Sequence, residues 1–255
     1  MNRNSHRSIH TIRFIIMSSI LLAISAGIIA LINILPNTIG GGIIAIIAGL
    51  IMTPLLASPL EWIVHRYVYH RIILPFLSPI YDIHHKGHHY FFFPTSRYVT
   101  SGPPRRLPIM QSDIKQIHTV GWKNALTRLA HFLFYMSIGF FMILIPAWLL
   151  THHVSFLIGS IVSSIVISNL FVTVHDTIHR PGSHRLIEIQ PWFKFLDNHH
   201  YIHHVDTEAN VNFLLPLADW LYGTLRLTLT NKELAKHGPL EMAKTKIEGV
   251  GEPVH

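Results

Sequence analysis

Two short stretches of this chain carry histidines at the spacing H-x-x-H-H. On a helix, residues i, i+3 and i+4 share one face, so the three imidazole rings of a stretch can point toward one place. Imidazole is the commonest metal ligand in proteins, so each triplet predicts part of a metal site. The triplets are His85, His88 and His89 in the first stretch and His200, His203 and His204 in the second.

A pair of histidines precedes each triplet. His65 and His70 come before the first, and His175 and His179 before the second. Of the 21 histidines, 13 lie within residues 65–89 and 175–204, which scattered structural histidines would not produce. The second pair is spaced i, i+4 and shares a helical face. The first pair would lie about 140° apart on a regular helix, so either that helix is distorted or the two residues serve different metals.

The elements that must position these histidines are apolar helices. Residues 14–60 and 129–175 contain no Asp, Glu, Lys or Arg, and each block is long enough for two membrane spans of about 20 residues. The sequence therefore predicts an all-α integral membrane protein that forms a single domain over 1–255. Its four predicted transmembrane helices cover residues 14–35, 39–60, 129–150 and 154–174.

The positive charges predict how the protein is oriented. The net charge is +7, yet every Lys and Arg precedes residue 14, lies within 66–128 or follows residue 175. By the positive-inside rule, both termini and the central segment are cytoplasmic, and this placement argues against nucleic acid as a partner. Helices two and four then end in the cytoplasm, and all four histidine groups follow those ends as a cytoplasmic helical cap. A bacterial inner membrane and the endoplasmic reticulum both fit.

Other features narrow the chemistry. The absence of cysteine excludes disulfides, thiolate metal sites and iron–sulfur clusters within the chain. The sequence also lacks the G-x-G-x-x-G fingerprint of dinucleotide-binding proteins. The doublet His152–His153 falls on the far side of the membrane and is excluded from the site, and His118 and His131 are interpreted as structural. The apolar segment 71–81 is too short to span and is expected to lie in the membrane interface.

At its histidine motifs, from Glu61 to about Thr224, the sequence resembles the fatty acid hydroxylase superfamily, the membrane histidine-box oxygenases that also include sterol desaturases. The stretch from Leu217 to Thr224 is similar to the family's usual ending after the last box. The resemblance covers about two-thirds of the chain and makes residues 61–224 the catalytic region. It implies a non-haem di-iron centre that uses dioxygen and external electrons to hydroxylate a lipid.

The resemblance also implies the ligands of that centre. His84 and His199 stay open alternatives, because each extends a doublet and is spaced i, i+4 from a triplet member. Hydrogen-bond acceptors usually orient metal-bound imidazoles, and five carboxylates near the motifs are candidates for that role. The implied ligands are His65, His70, His85, His88, His89, His175, His179, His200, His203 and His204, and the candidate acceptors are Glu61, Asp82, Asp176, Asp197 and Asp206.

Two alternatives remain at this level. The same centre could belong to a desaturase or to a sterol or carotenoid oxygenase, because the outcome depends on which carbon approaches the metals. A membrane metal transporter is the alternative of another class, although transporters place ionisable ligands near the bilayer midplane. Since no reductase module is fused to the chain, an enzyme would need an external cytochrome or ferredoxin-type electron donor.

Overall fold

The computed structural model describes residues 3–36, 38–89, 144–151, 153–179 and 184–237, and all regular secondary structure in these ranges is helical. The all-α prediction is confirmed for this part of the chain. The elements are α1 (Arg3–Asn33), α2 (Ile39–Val64), π1 (His65–Tyr69), a 3₁₀ turn (Pro75–Leu77), α3 (Ser78–Tyr81), π2 (Asp82–His88), α4 (Ile145–Thr151), α5 (Val154–His179), α6 (Arg185–Glu188), α7 (Pro191–Val205), α8 (Leu217–Tyr222) and α9 (Asn231–His237).

Among the described residues, three helices are long and apolar enough to cross a membrane: Thr11–Asn33, Ile39–Tyr69 and Val154–His175. They correspond to the first, second and fourth predicted spans. The second is longer than expected, because the helix continues through Pro54 and Pro59 and joins π1 directly. Most of the predicted span 129–150 lies outside the described residues, which include only its end as α4.

The chain divides into two compact units. One comprises Met1–Glu61, Ala125–Val172 and Leu215–Gly223, and the other comprises Trp62–Asn124, Thr173–Leu214 and Thr224–His255. The first unit contains most of each candidate span. The second contains the described histidines of the pairs and triplets.

In the first unit, α2 and α5 pack closely because small residues line their contact. A Cβ added to Gly49 would lie 2.3 Å from the carbonyl oxygen of Phe156, and one added to Gly159 would lie 2.1 Å from that of Ile46. The hydroxyl of Ser163 donates to the Leu50 carbonyl at 3.0 Å. Close approach through small residues is typical of helix packing in membranes, where lipid removes the hydrophobic drive for association.

The helix α8 packs against α1 in the same unit. The Arg13 side chain donates to the carbonyl oxygens of Leu221 and Trp220, both at 2.7 Å, and thereby caps the C-terminal end of α8. Gly223 ends the helix in the left-handed region with φ 79°, a conformation that favours glycine. The stretch that resembles the family's ending is therefore a docked helix.

Candidate metal centre

The first histidine pair lies at a distortion of the second candidate span. Beyond Val64 the helix widens to π1, and the His70 amide donates to the carbonyl oxygen of His65 at 3.1 Å, an i→i+5 bond. One turn of such a helix brings residues five apart onto one face. The two rings stack with centroids 4.9 Å apart and an angle of 16°. The structure therefore has the distorted helix, the first of the two alternatives for this spacing.

The first triplet lies on a second π-helix. π2 covers Asp82–His88, and His89 caps its end. The Nε2 atoms of His84 and His65 are 2.9 Å apart. His85 lies differently, with its Nδ1 atom 2.7 Å from Nδ1 of His70 and its ring stacked on Tyr81.

The second triplet lies on the regular helix α7, which begins with Pro191 at its first position, where a missing N–H costs nothing. His200, His203 and His204 are all buried on it. Nε2 of His204 is 3.0 Å from Nε2 of His200, whereas Nε2 of His203 is 3.1 Å from Nε2 of His70. The triplet therefore does not converge on one point, because His203 faces the first histidine pair.

The neighbouring His199 has a different contact. Its Nε2 donates to the carbonyl oxygen of Asn212 at 2.7 Å, so that nitrogen is used in a backbone hydrogen bond. The side-chain amide of Asn210 donates to the His199 carbonyl at 3.0 Å. His199 is therefore a buried structural residue of α7.

In the part of the chain that the structure describes, nine histidines from four segments form three overlapping groups. Within each group the candidate ligand atoms lie within 4.8 Å of one another. His89 belongs to the first and second groups and His88 to the second and third, so the three are contiguous. The groups are His65, His70, His84, His89 and His203; His88, His89 and His204; and His88, His175 and His200.

The nitrogen separations fit metal coordination. Nε2 of His204 is 3.0 Å from that of His200 and 3.1 Å from that of His88. Two imidazoles bound to one ion at about 2.1 Å, with an angle of about 90–110°, would have nitrogens about 3.0–3.4 Å apart. Either pair of nitrogens is therefore close enough to bind one cation together.

His89 gives an independent test of fit. Its side chain is 3% exposed, and neither ring nitrogen has a hydrogen-bond partner among the described residues. Burying an imidazole without a partner for its polar atoms costs free energy. A metal ion in either group that contains His89 would remove that cost. The residues present therefore fit a metal.

Burial also sets the protonation state of the cluster. Desolvation first, and repulsion from neighbouring histidines second, lower the pKa of His84, His88, His89 and His200 well below the usual value. The same two causes lower the pKa of His70. These rings are neutral at pH 7, which is the form that binds metals.

Backbone carbonyls accept hydrogen bonds from two rings of the cluster. Nδ1 of His203 donates to the carbonyl oxygen of Ala209 at 2.8 Å, which leaves Nε2 directed at His70. His65 forms a backbone hydrogen bond with Val211. Both carbonyls belong to the buried segment 209–213. Residue types could not reveal these acceptors, since every residue has a carbonyl group.

The sequence-predicted residues are thus partly brought together. Eight of the ten implied ligands lie in the three groups; His85 is next to His70 instead, and His84 joins the largest group. The side chains of His179 and Asp176 and the residues His118, His131 and His152 lie outside the described residues.

The candidate acceptor carboxylates have varied surroundings. Asp206 accepts from Arg226 at 2.6 Å and from the Glu208 amide at 3.2 Å. Asp197 is fully buried and Asp82 is exposed, while Glu61 is half-buried at the end of α2. Their proposed contact with metal-bound imidazoles stays a prediction.

Comparisons of this chain with protein-family models, with curated proteins and with solved structures gave no match.

Proposed function

We propose that the histidine cluster binds two iron ions and that the protein is a dioxygen-dependent lipid hydroxylase of the fatty acid hydroxylase superfamily. The observation that carries the proposal is the overlap of the three histidine groups, which offers more ligands than one ion can use. Imidazole binds iron, copper, zinc and nickel, so the choice of iron comes from the resemblance and not from the ligand type.

Nine side chains would hold the ions. The group around His65, His70, His84, His89 and His203 offers one set of ligands, and His88, His175, His200 and His204 offer the other. When bound, iron would supply the activation of dioxygen that oxidises an unactivated C–H bond, with two electrons from an external cytochrome or ferredoxin-type protein.

The protein itself supplies neutral imidazole rings, fixes their orientation and excludes water from the buried cluster. The low pKa values keep the rings unprotonated, and the Ala209 carbonyl fixes the tautomer of His203. Exclusion of water from the buried cluster suits chemistry on an apolar carbon. His65 and His175 lie at the ends of candidate spans, which favours a substrate that itself resides in the membrane.

The packing of the spans supports four crossings. α2 and α5 run parallel, because Ile46 meets Gly159 and Leu50 meets Ser163 further along both helices. Two parallel neighbours can both span a membrane only if the chain between them crosses back. The sequence predicts such a crossing at residues 129–150, and by the positive-inside rule the termini and the histidine segments would then be cytoplasmic.

A metal transporter is the second candidate, and the position of the histidines argues against it. Transport sites lie near the bilayer midplane, whereas His65 and His175 occupy the ends of their spans, and residues 14–60 carry no charge. Desaturation, or oxidation of a sterol or carotenoid ring, uses the same centre and differs in the product alone.

Labelled dioxygen tests the proposal. Cells that express the protein should incorporate ¹⁸O into one lipid class, detected by mass spectrometry of lipid extracts. His200→Ala should abolish incorporation because it removes a ligand. His153→Ala, which changes a histidine outside the groups, should retain it. Label-free products with a new double bond would indicate a desaturase, and unchanged lipids together with metal flux into vesicles would indicate a transporter.

A further inference from the structure

The first histidine pair is flanked by two arginines that share one carboxylate. Arg66 follows His65, Arg71 follows His70, and both bind Glu208. Arg66 binds Oε2 and also donates to the Glu208 carbonyl at 3.0 Å, while Arg71 donates to Oε1 and Oε2 at 3.0 and 3.1 Å. One side chain therefore holds both ends of π1.

Glu208 also belongs to the loop that orients the last triplet. Its neighbour Ala209 accepts the Nδ1 hydrogen of His203, and Nε2 of His203 is 3.1 Å from Nε2 of His70. The carboxylate that holds Arg71 and the carbonyl that holds His203 thus come from consecutive residues. The loop is fixed in turn by the Glu208 amide, which donates to Asp206.

Aromatic residues hold the guanidinium groups on the π1 side of this contact. Arg66 lies over the Trp62 ring at 5.1 Å, and Arg71 over the Tyr67 ring at 5.5 Å. Trp62 is itself anchored, since its Nε1 donates to the Thr224 hydroxyl at 2.9 Å. The arginines are therefore tied to the helix that bears the first pair and to the loop after α7.

The charge state of Glu208 suits this contact. Desolvation favours its protonated form, but the hydrogen bond from Arg71 and the charges of both arginines outweigh that effect and lower its pKa. The carboxylate is 54% exposed, so salt can screen its attraction to the arginines.

We propose that Glu208 is a positioning residue of the metal site, which holds His70 against His203 through Arg66 and Arg71. This rests on the proposed function only in that the cluster binds a metal. In Glu208→Gln the shape and one acceptor oxygen remain, but the negative charge is lost. Loss of a group that orients a ligand typically weakens metal binding about 10–100-fold. Metal release should therefore become at least about tenfold faster.

Release of cobalt(II) from the purified full-length protein into excess EDTA measures the effect. Wild-type release should accelerate as ionic strength rises, because salt screens the contact, whereas Glu208→Gln should be fast and nearly insensitive to salt. Arg71→Gln, which removes one of two partners, should be intermediate. Glu233→Gln is the matched control, since it removes a carboxylate paired with Arg226 and not with either arginine of π1. Equal rates for Glu208→Gln and Glu233→Gln would overturn the proposal.

A second measurement separates this proposal from the proposed function. Hydrogen exchange of the amides of residues 65–71 in the metal-free protein reports the contact whether or not a metal binds. Glu208→Gln should accelerate it and Glu233→Gln should not. If the wild type bound no cobalt, the proposed function would fail, and faster exchange in Glu208→Gln would still support the contact. Unchanged exchange would refute it.

Discussion

At the residue scale, the identity of the clustered histidines follows from the sequence better than their orientation does. Spacing predicted the clustering of His88, His89, His200 and His204, because helical periodicity places such residues together. Spacing did not predict that His203 turns toward His70, since that depends on a hydrogen bond to the Ala209 carbonyl. His84 takes the place expected for His85 for a different reason: both lie on the π-helix π2, and a change of helix type rotates every later side chain.

The neutral histidines predict how stability depends on pH. Their pKa values are lowered in the folded protein, so the unfolded chain binds more protons below its own histidine pKa of about 6.5. In protein from which a chelator has removed metal, the free energy of unfolding should be greatest above about pH 6.5. It should decrease as the pH falls below that value, because the neutral rings resist protonation in the folded state. Each such histidine should lower the free energy of unfolding by about 1.4 kcal/mol for every pH unit below about 6.5.

Thermal unfolding followed by tryptophan fluorescence checks this prediction. The melting temperature of the chelated protein in detergent should decrease steadily from pH 7 to pH 5, and His88→Ala should flatten the dependence. His153→Ala should leave its slope as in the wild type. A melting temperature independent of pH over this range would mean that the cluster is not buried in neutral form.

At the element scale, the long apolar runs allowed the membrane spans to be predicted, but they did not define where each span ends. The second span was predicted to end at residue 60, yet the helix passes Pro54 and Pro59, continues to π1 and reaches Tyr69. Neighbouring helices and side chains in a membrane protein can satisfy the carbonyls that a proline leaves unpaired. The spacing of His65 and His70 left a distorted helix as one of two alternatives, and the sequence could not choose the i→i+5 bond because the same residues also permit an α-helix.

The close contact of α2 and α5 predicts the effect of one added methyl group. In Gly159→Ala the new Cβ would lie 2.1 Å from the Ile46 carbonyl oxygen, so the backbones must separate. Overpacking of this kind typically costs about 1–3 kcal/mol. Gly27→Ala is the matched control, since nothing lies within 4 Å of its Cβ position. Thermal unfolding in detergent should show a lower melting temperature for Gly159→Ala and not for Gly27→Ala. Equal melting temperatures for the two variants would contradict the close contact of α2 and α5.

At the scale of the whole molecule, the membrane crossings can be tested with introduced thiols. The chain has no natural cysteine, so one substitution gives one labelling site. Ile34, between the first two spans, is 76% exposed, and Lys232 lies on α9. A membrane-impermeant maleimide should label Ile34→Cys in intact cells and Lys232→Cys only after permeabilisation. Labelling of both from outside would contradict the four-crossing arrangement.

The number of metal ions bound per chain can be counted, and the histidine cluster is expected to bind two. Protein purified without chelator and loaded with ferrous iron under anaerobic conditions should contain about two iron atoms per chain by mass spectrometry, relative to protein measured by amino-acid analysis. His89→Ala, which removes one of the two residues that belong to two groups, should contain fewer, and His153→Ala should contain as many as the wild type. Folded wild-type protein that contained no iron above background, and no other metal in its place, would contradict the account.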